Sequence, residues 1–274
     1  VKTAVITTVH GRAGHLRRQL EGLAAGSAQP DMHIVVALGD PTIVGIVGDE
    51  ATVLDYPAVP PLPLAAGRNA GAASALRNLA ELLVFLDVDC IPGTDLIARY
   101  RNAAIEHGDA LLCGPVTYLP PPEPDGYVLA DLPHQVNPHP ARPAPKPGTV
   151  VPTTDYALFW SLSFAVLAET WHRIGGFCED YRGYGGEDTD FAQCAAAQHV
   201  SMRWVGGADA FHQYHPVADP PVDHLDDIMR NAEIFHQRWG WWPMEGWLSA
   251  FEADGLIYRG ADGHPYSTGR TQVT

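Results

Sequence analysis

The chain has 274 residues, 46% of them hydrophobic, and carries 17 basic against 32 acidic side chains for a formal net charge of −15. That length and apolar content suit one large α/β domain, or two small ones, and exclude global disorder. The acidic balance argues against a surface built to track nucleic acid or anionic lipid, while leaving room for a locally positive pocket around one phosphorylated ligand.

Ala4–Val9 is a short β-branched run suited to a buried parallel strand, and residues 1–9 are too short and too β-branched for the apolar core of a signal peptide. A His10-Gly11-Arg12 turn follows, then a helix over His15–Ala25 with Leu16, Leu20 and Leu23 on one face. His33–Leu38 reads as a second strand ending at Gly39-Asp40, and Ala51–Leu54 as a third. The Pro-rich residues 57–63 cannot be an interior strand. Ala65–Leu82 reads as a helix opened by Gly67-Arg68-Asn69, Leu83–Asp87 as an apolar strand, Asp95–His107 as a helix and Ala110–Val116 as a strand.

Residues 119–152 are crowded with prolines and read as a long functional loop or a passive linker. As a functional loop, the segment would lie beside the ligand site and become partly ordered on ligand binding. Beyond it, Ala157–Leu167 is strand-like, Thr170–Ile174 a short helix, Phe191–His199 a helix, Ser201–Val205 a strand, and Asp223–Phe251 helical around Trp239-Gly240-Trp241-Trp242-Pro243. The alternation implies a doubly wound, mostly parallel, Rossmann-like sheet with helices on both faces, and ligands at the carboxyl ends of its strands. No apolar run of about 18 residues is present, so no membrane span is expected. The cysteines at 90, 113, 178 and 194 lack CxxC spacing, which favours a reduced cytoplasmic protein over a Cys178–Cys194 bridge.

Four segments carry the chemistry. Asp87-Val88-Asp89 ends an apolar strand, and period-two spacing lets both carboxylates project to one side as hard ligands for Mn²⁺ or Mg²⁺. Gly67-Arg68-Asn69-Ala70-Gly71 reads either as an anion-binding turn into a helix or as a plain helix cap. His212 and His215, in Phe211-His212-Gln213-Tyr214-His215, can complete a mixed oxygen and nitrogen shell. The run 175–191, Gly-Gly-Phe-Cys-Glu-Asp-Tyr-Arg-Gly-Tyr-Gly-Gly-Glu-Asp-Thr-Asp-Phe, places Glu187 and Asp188 at a helix mouth, either as aimed functional acids or as caps.

Taken in order over residues 3–215, the HGR turn, GRNAG, LVFLDVD, the GGFCEDYRGYGGEDTDF block and FHQYH resemble a family 2 type glycosyltransferase of the GT-A fold. The Gly-Gly-Glu-Asp block is similar to the carboxy-terminal region of β-1,4-galactosyltransferases and polypeptide N-acetylgalactosaminyltransferases, and the tail 231–251 to bacterial galactosyltransferase-like members. The resemblance implies a metal-dependent inverting enzyme that moves a hexosyl unit from a nucleoside-diphosphate sugar, UDP-linked by preference and GDP-mannose otherwise, to a glycan or small glycoconjugate. It implies Asp188 as catalytic base and Glu187, Tyr184 and Gly186 as acceptor-binding. Donor-binding residues would be Thr8, His10, Arg12, Asp40, Arg68, Asn69 and Asp87, and the metal would sit on Asp89 and His212 with Asp87. Tyr181, Phe177 and Trp160 would add aromatic faces for the acceptor or pack in the core. Two departures stand out: only Asp40 remains of the acidic pair many members carry after the second strand, and Tyr184 replaces their Trp.

One domain over 1–274 is expected, with a nucleotide-sugar half (1–116), the Pro-rich loop (117–152), an acceptor half (153–215) and a helical extension (216–274). The rival readings are a glycoside hydrolase with paired carboxylates, a nucleotidyltransferase and a binding module without catalysis. The protein would lie in the cytoplasm, free or at the inner face of the membrane.

Overall fold

The computed structural model describes residues 1–124 and 126–269. In chain order the main elements are β1 (Thr3–Val9), α1 (Ala13–Ala24), β2 (Met32–Leu38), α2 (Ile43–Val47), β3 (Thr52–Tyr56), α3 (Leu64–Arg77), β4 (Leu82–Leu86), β5 (Cys90–Pro92), α4 (Leu96–His107), β6 (Ala110–Cys113) and β7 (Val116–Tyr118). The second half adds β8 (Val150–Thr153), β9 (Ser163–Leu167), α5 (Ala168–Ile174), α6 (Glu187–Ala197), β10 (Ser201–Val205), β11 (Ala210–His212), α7 (Leu225–Trp239), α8 (Glu245–Ala253) and the hairpin β12 (Ile257–Arg259) and β13 (Pro265–Ser267).

Eight strands form one twisted sheet in the order β3-β2-β1-β4-β9-β6-β10-β8. β3, β2, β1 and β4 run parallel, as do β6 and β10, whereas β9 and the edge strand β8 run antiparallel to their neighbours. The inner strands β1, β2, β4 and β6 are buried on both faces, so they read as continuous apolar runs rather than alternating ones. Alternate residues still divide the core: Ile6, Val36, Phe85 and Phe164 pack on one side with Phe177 and Phe191, while Val5, Val84 and Leu86 pack on the other with Leu96 and Tyr100.

Several boundaries differ from the sequence expectation. The helix expected to run to Leu82 stops at Arg77, because Leu79 turns left-handed (φ 62°) and Leu82 opens β4. The strand expected over Ala110–Val116 is split at Gly114-Pro115, where a Cβ on Gly114 would lie 2.2 Å from the Ala208 carbonyl oxygen. Only Ser163–Leu167 of the run from Ala157 is strand. The helical tail is two helices, broken where Gly240 adopts φ 76°. The Pro-rich segment folds a 3₁₀ turn over Leu129–Gln135 and ends in edge strand β8, a position that tolerates Pro152. All four cysteines are free thiols, so Cys178 and Cys194 form no bridge. Among the described residues no helix is long and apolar enough to cross a membrane.

A three-stranded sheet, β5-β11-β7, caps the carboxyl end of β4. Its register sets His212 opposite Cys90 on one side and Tyr118 on the other. A histidine from the far end of the chain thereby arrives next to Asp89.

Candidate active site

β4 ends at Leu86, and Asp87-Val88-Asp89 forms a turn closed by the Cys90 amide donating to the Asp87 carbonyl (2.8 Å). Fully buried Gln19 on α1 clamps this turn, donating from Nε2 to the carbonyls of Asp87 (2.7 Å) and Cys90 (3.0 Å). Because the residues turn rather than continue the strand, period-two spacing does not set the directions of the two carboxylates.

Asp89 faces the cluster that could hold a metal. Its Oδ2 lies 3.5 Å from His212 Nε2 and 3.6 Å from His215 Nε2, and one ligand atom from each of the three residues falls within 4.8 Å of the others. Burial lowers the pKa of both imidazoles, and of neighbouring His15, from the ordinary histidine value. At neutral pH they are therefore uncharged, the form that coordinates metal. One carboxylate with two imidazoles suits Mn²⁺ better than Mg²⁺, which prefers an all-oxygen shell. Arg12 donates from Nη1 to the same Asp89 oxygen at 2.9 Å.

Asp87 is held by a different partner. Arg68, only 4% exposed, donates from Nη2 to Asp87 Oδ1 (3.0 Å) and from Nη1 to Glu187 Oε1 (3.1 Å). Burial alone would lower the Arg68 pKa, but Asp87 and then Glu187 outweigh it and hold the guanidinium charged. Burial also raises Asp87, against the opposing pull of Arg68. This bridge ties the end of β4 to the start of α6, 119 residues apart for Arg68 and Glu187.

The Gly67–Gly71 run is not a turn into a helix, because α3 already starts at Leu64. Its glycines serve close packing: a Cβ on Gly71 would lie 2.5 Å from Ile6 Cγ2, and one on Gly67 would lie 2.9 Å from Leu38 Cδ2. Arg68 thus emerges mid-helix, close to the sheet. Asn69 faces the glycine block, accepting from the Phe177 amide and donating to the Phe177 carbonyl (both 2.9 Å) and to Glu179 (2.8 Å).

α6 begins at Glu187, four residues earlier than expected, which puts Glu187 and Asp188 in its first turn. Gly185 and Gly186 approach it at φ 91° and 93°, a region L-residues rarely adopt. Asp188 is half-buried and accepts from the Thr189 amide at 2.7 Å. Burial, followed by the charge of Glu187, pushes its pKa up to about 7.

The helical extension fixes this block. Asn231, fully buried on α7, donates from Nδ2 to the carbonyls of Arg182 (3.0 Å), Tyr184 (3.2 Å) and Gly185 (2.8 Å). Asp190, also fully buried, accepts from Arg238 Nε (2.6 Å) and Trp239 Nε1 (2.7 Å). Sequence reasoning missed both residues and Gln19. For Asn231 a signal existed: it sits on the α7 face with Ile228, Ala232 and Phe235, where a polar residue must have something to bond.

A cavity of about 480 Å³ opens between these groups, lined by Arg68, Asp87, Glu187, Asp188, Tyr118, Trp160, Tyr184, Gly186 and the Trp241, Met244 and Trp247 side of the extension. Tyr118 links it to the metal-candidate cluster, its ring 4.7 Å from that of His212. Phe177 and Tyr181 are buried, the first stacked 4.3 Å from Phe191, so they pack in the core, while Trp160 lines the cavity.

The remaining residues predicted to bind donor gather at the carboxyl ends of β1 and β2. Asp40 accepts from the Gly11 amide (2.8 Å), His10 donates from Nδ1 to the Leu38 carbonyl (2.7 Å), and Thr8 packs beneath Gly67. Asp40 and His10 hold the HGR turn, from which Arg12 extends to Asp89.

Known proteins share the fold. Residues 149–216 match the family model described as the N-terminal domain of galactosyltransferase. No curated protein matches the sequence. Among solved structures, S. aureus TarS 1-349 superposes with a TM-score of 0.57 at 14% identity, covering 85% of this chain and 65% of that one. Its complex with UDP-GlcNAc gives 0.60 at 12%, covering 91% and 76%. GalNAc-T7 with UDP, GalNAc and Mn²⁺ gives 0.57 at 11%, covering 93% of this chain and 57% of that one. The chain thus spans a little under two thirds of the first of these proteins and just over half of the last. Element order, sheet and likeness together make this chain a GT-A glycosyltransferase fold, with its galactosyltransferase family match across residues 149–216.

Proposed function

We propose that the chain is a metal-dependent, inverting glycosyltransferase that moves a hexosyl unit from a UDP-sugar to a hydroxyl of a glycan or glycoconjugate. One observation carries the reading: a carboxylate stands with two uncharged imidazoles beside Tyr118, and Tyr118 in turn lines a cleft that holds a carboxylate of raised pKa. The complexes of the similar folds with UDP-GlcNAc, and with UDP and Mn²⁺, support the donor and metal classes.

Asp89, His212 and His215 would hold the ion, which when bound neutralises the diphosphate and makes it a better leaving group. Asp188 takes the proton from the acceptor hydroxyl as that oxygen attacks the anomeric carbon. The bond from that carbon to the diphosphate oxygen breaks with its electron pair leaving on UDP. Attack from the face opposite the leaving group inverts the centre. Glu187, held by Arg68, orients the acceptor, and Arg68 keeps Asp87 and Glu187 in register across the cleft.

The test is isothermal titration of UDP with and without Mn²⁺, together with UDP release from a panel of UDP-sugars and GDP-mannose. Asp89→Ala is expected to abolish Mn²⁺-dependent UDP binding and turnover while leaving the far-UV spectrum and Tm intact. Full wild-type turnover in EDTA would sink the metal assignment.

A further inference from the structure

The walls of the cleft have a chemistry of their own. Tyr118, Trp160, Tyr184, Trp241, Met244 and Trp247 surround it. Three of these come from the α7–α8 corner, outside the segment with a family match. Their rings are fixed: Trp241 meets Phe235 edge-on at 4.6 Å, and Trp247 lies 5.5 Å from Tyr184, itself stacked on His224 at 4.6 Å. Trp241 remains 39% exposed, so its surface is open to a ligand.

Charge on the lining is one-sided. Asp87, Glu187 and Asp188 contribute three carboxylates, and among the described residues Arg68 is the one basic side chain lining the cleft, with both arms of its guanidinium engaged by Asp87 and Glu187. Arg142 is not among the lining residues. Arg142 is 6% exposed and stacked between Trp160 (5.0 Å) and Trp204 (4.8 Å), its three nitrogens shut off from solvent behind the wall.

We infer that the acceptor is an uncharged pyranoside, read by its apolar C–H face against Trp241 and Trp247, and that this cleft rejects anionic acceptors such as uronates and sugar or polyol phosphates. This rests on the glycosyl-transfer reading above. Aromatic faces carry negative potential, which attracts polarised C–H groups and repels anions. A carboxylate or phosphate seated here would face those rings and the acids Glu187 and Asp188, with no free cation among the described lining residues. Like-charge juxtaposition of this kind is how sites exclude wrong partners.

The experiment uses the full chain with Mn²⁺ and whichever of UDP-glucose, UDP-galactose, UDP-GlcNAc and UDP-GalNAc it hydrolyses. Methyl glucosides, galactosides, mannosides and N-acetylhexosaminides are compared as acceptors with their matched uronates and 6-phosphates. At least one neutral glycoside is expected to accept the sugar, with its charged counterparts lower by about tenfold or more in kcat/KM, the scale of one lost or repulsive contact. Trp241→Ala, an exposed site that should not compromise folding, is expected to raise the acceptor KM about tenfold with Mn²⁺-dependent UDP affinity unchanged. Trp247→Phe should be milder than Trp247→Ala. Transfer to uronates or phosphates as good as to neutral sugars, transfer to no neutral sugar despite donor hydrolysis, or an unchanged KM in Trp241→Ala would overturn the inference alone. Absence of any Mn²⁺-dependent UDP binding or donor hydrolysis would instead bring down the transferase reading beneath it.

Discussion

Asp188→Asn separates a catalytic carboxylate from a helix cap. The side chain sits in the first turn of α6, half-buried, and its pKa is raised to about 7 by burial and then by Glu187. If it is the base, the ionised fraction sets the rate. A group titrating at about 7 is roughly nine-tenths ionised at pH 8 and one-tenth at pH 6, so kcat/KM should fall about tenfold between them. A carboxylate near the ordinary value would be ionised throughout and give a flat profile. Asn retains an oxygen able to accept from the Thr189 amide but cannot take the proton, so the variant should lose roughly 10²–10⁴-fold in kcat. Stability changes in the opposite sense. A carboxyl whose pKa is raised by folding helps the fold below its unfolded value and loses that contribution as pH rises through the folded value. In EDTA the wild type should therefore lose Tm relative to Asp188→Asn as pH rises from about 4 to 7. The assay is stopped-time UDP release over pH 5–9, paired with thermal melts. A variant that keeps more than about a tenth of wild-type turnover, or a wild-type profile flat to pH 5, would refute the base assignment.

Other expectations follow from the supports of the site. Asn231→Ala removes the donor to three carbonyls of the glycine block and should cost roughly 1–3 kcal/mol in chemical denaturation, with kcat falling further than UDP affinity. Gly186→Ala forces an L-residue to φ 93° with its Cβ 3.1 Å from the Tyr181 ring; a loss of roughly 1–3 kcal/mol and of most turnover is expected, and a stable, fully active variant would show that the helix entry is not rigid. Arg12 occupies the Asp89 oxygen that faces both histidines, so Arg12→Ala should bind Mn²⁺ more tightly in calorimetry without nucleotide. Weaker or equal binding would show that the guanidinium does not compete there.

What the sequence made legible was local. The apolar runs at Ala4–Val9, His33–Leu38 and Leu83–Leu86 are strands because every residue in them is buried, and such runs carry their own signal. The acids after β4, the histidines around β11 and the glycine block stood out as short polar clusters set against that background. Their mutual arrangement was not legible, because it depends on strand order. The neighbouring positions of Asp89 and His212 follow from β11 pairing with β5, and no periodicity in either segment reports that pairing. GRNAG was misread for a different reason. Two glycines beside an arginine look like a loop, yet here they are what lets α3 lie against Ile6, Val36 and Leu38. Glycine marks close approach as readily as it marks a turn, and only the partner surface tells which.

The placement of Arg68 shows why these pieces work as a unit. A buried guanidinium without partners would be strongly unfavourable, and two buried carboxylates on their own would repel each other. Asp87 opens the metal-candidate turn just after β4, and Glu187 opens the helix that carries the candidate base. Bonded to both, Arg68 fixes the separation between the metal-candidate turn and the candidate base, and it leaves Asp89 and Asp188 unbonded to it. The close packing of α3 matters for the same reason, since Gly67 and Gly71 set how deep Arg68 enters between them. The extension closes the arrangement from the other side: Asn231 holds the backbone before Glu187, and Asp190 anchors α6 to Arg238 and Trp239. Residues far apart in sequence thus converge on the first turn of α6, and the direction in which Asp188 points is set jointly by α3, the glycine block and α7.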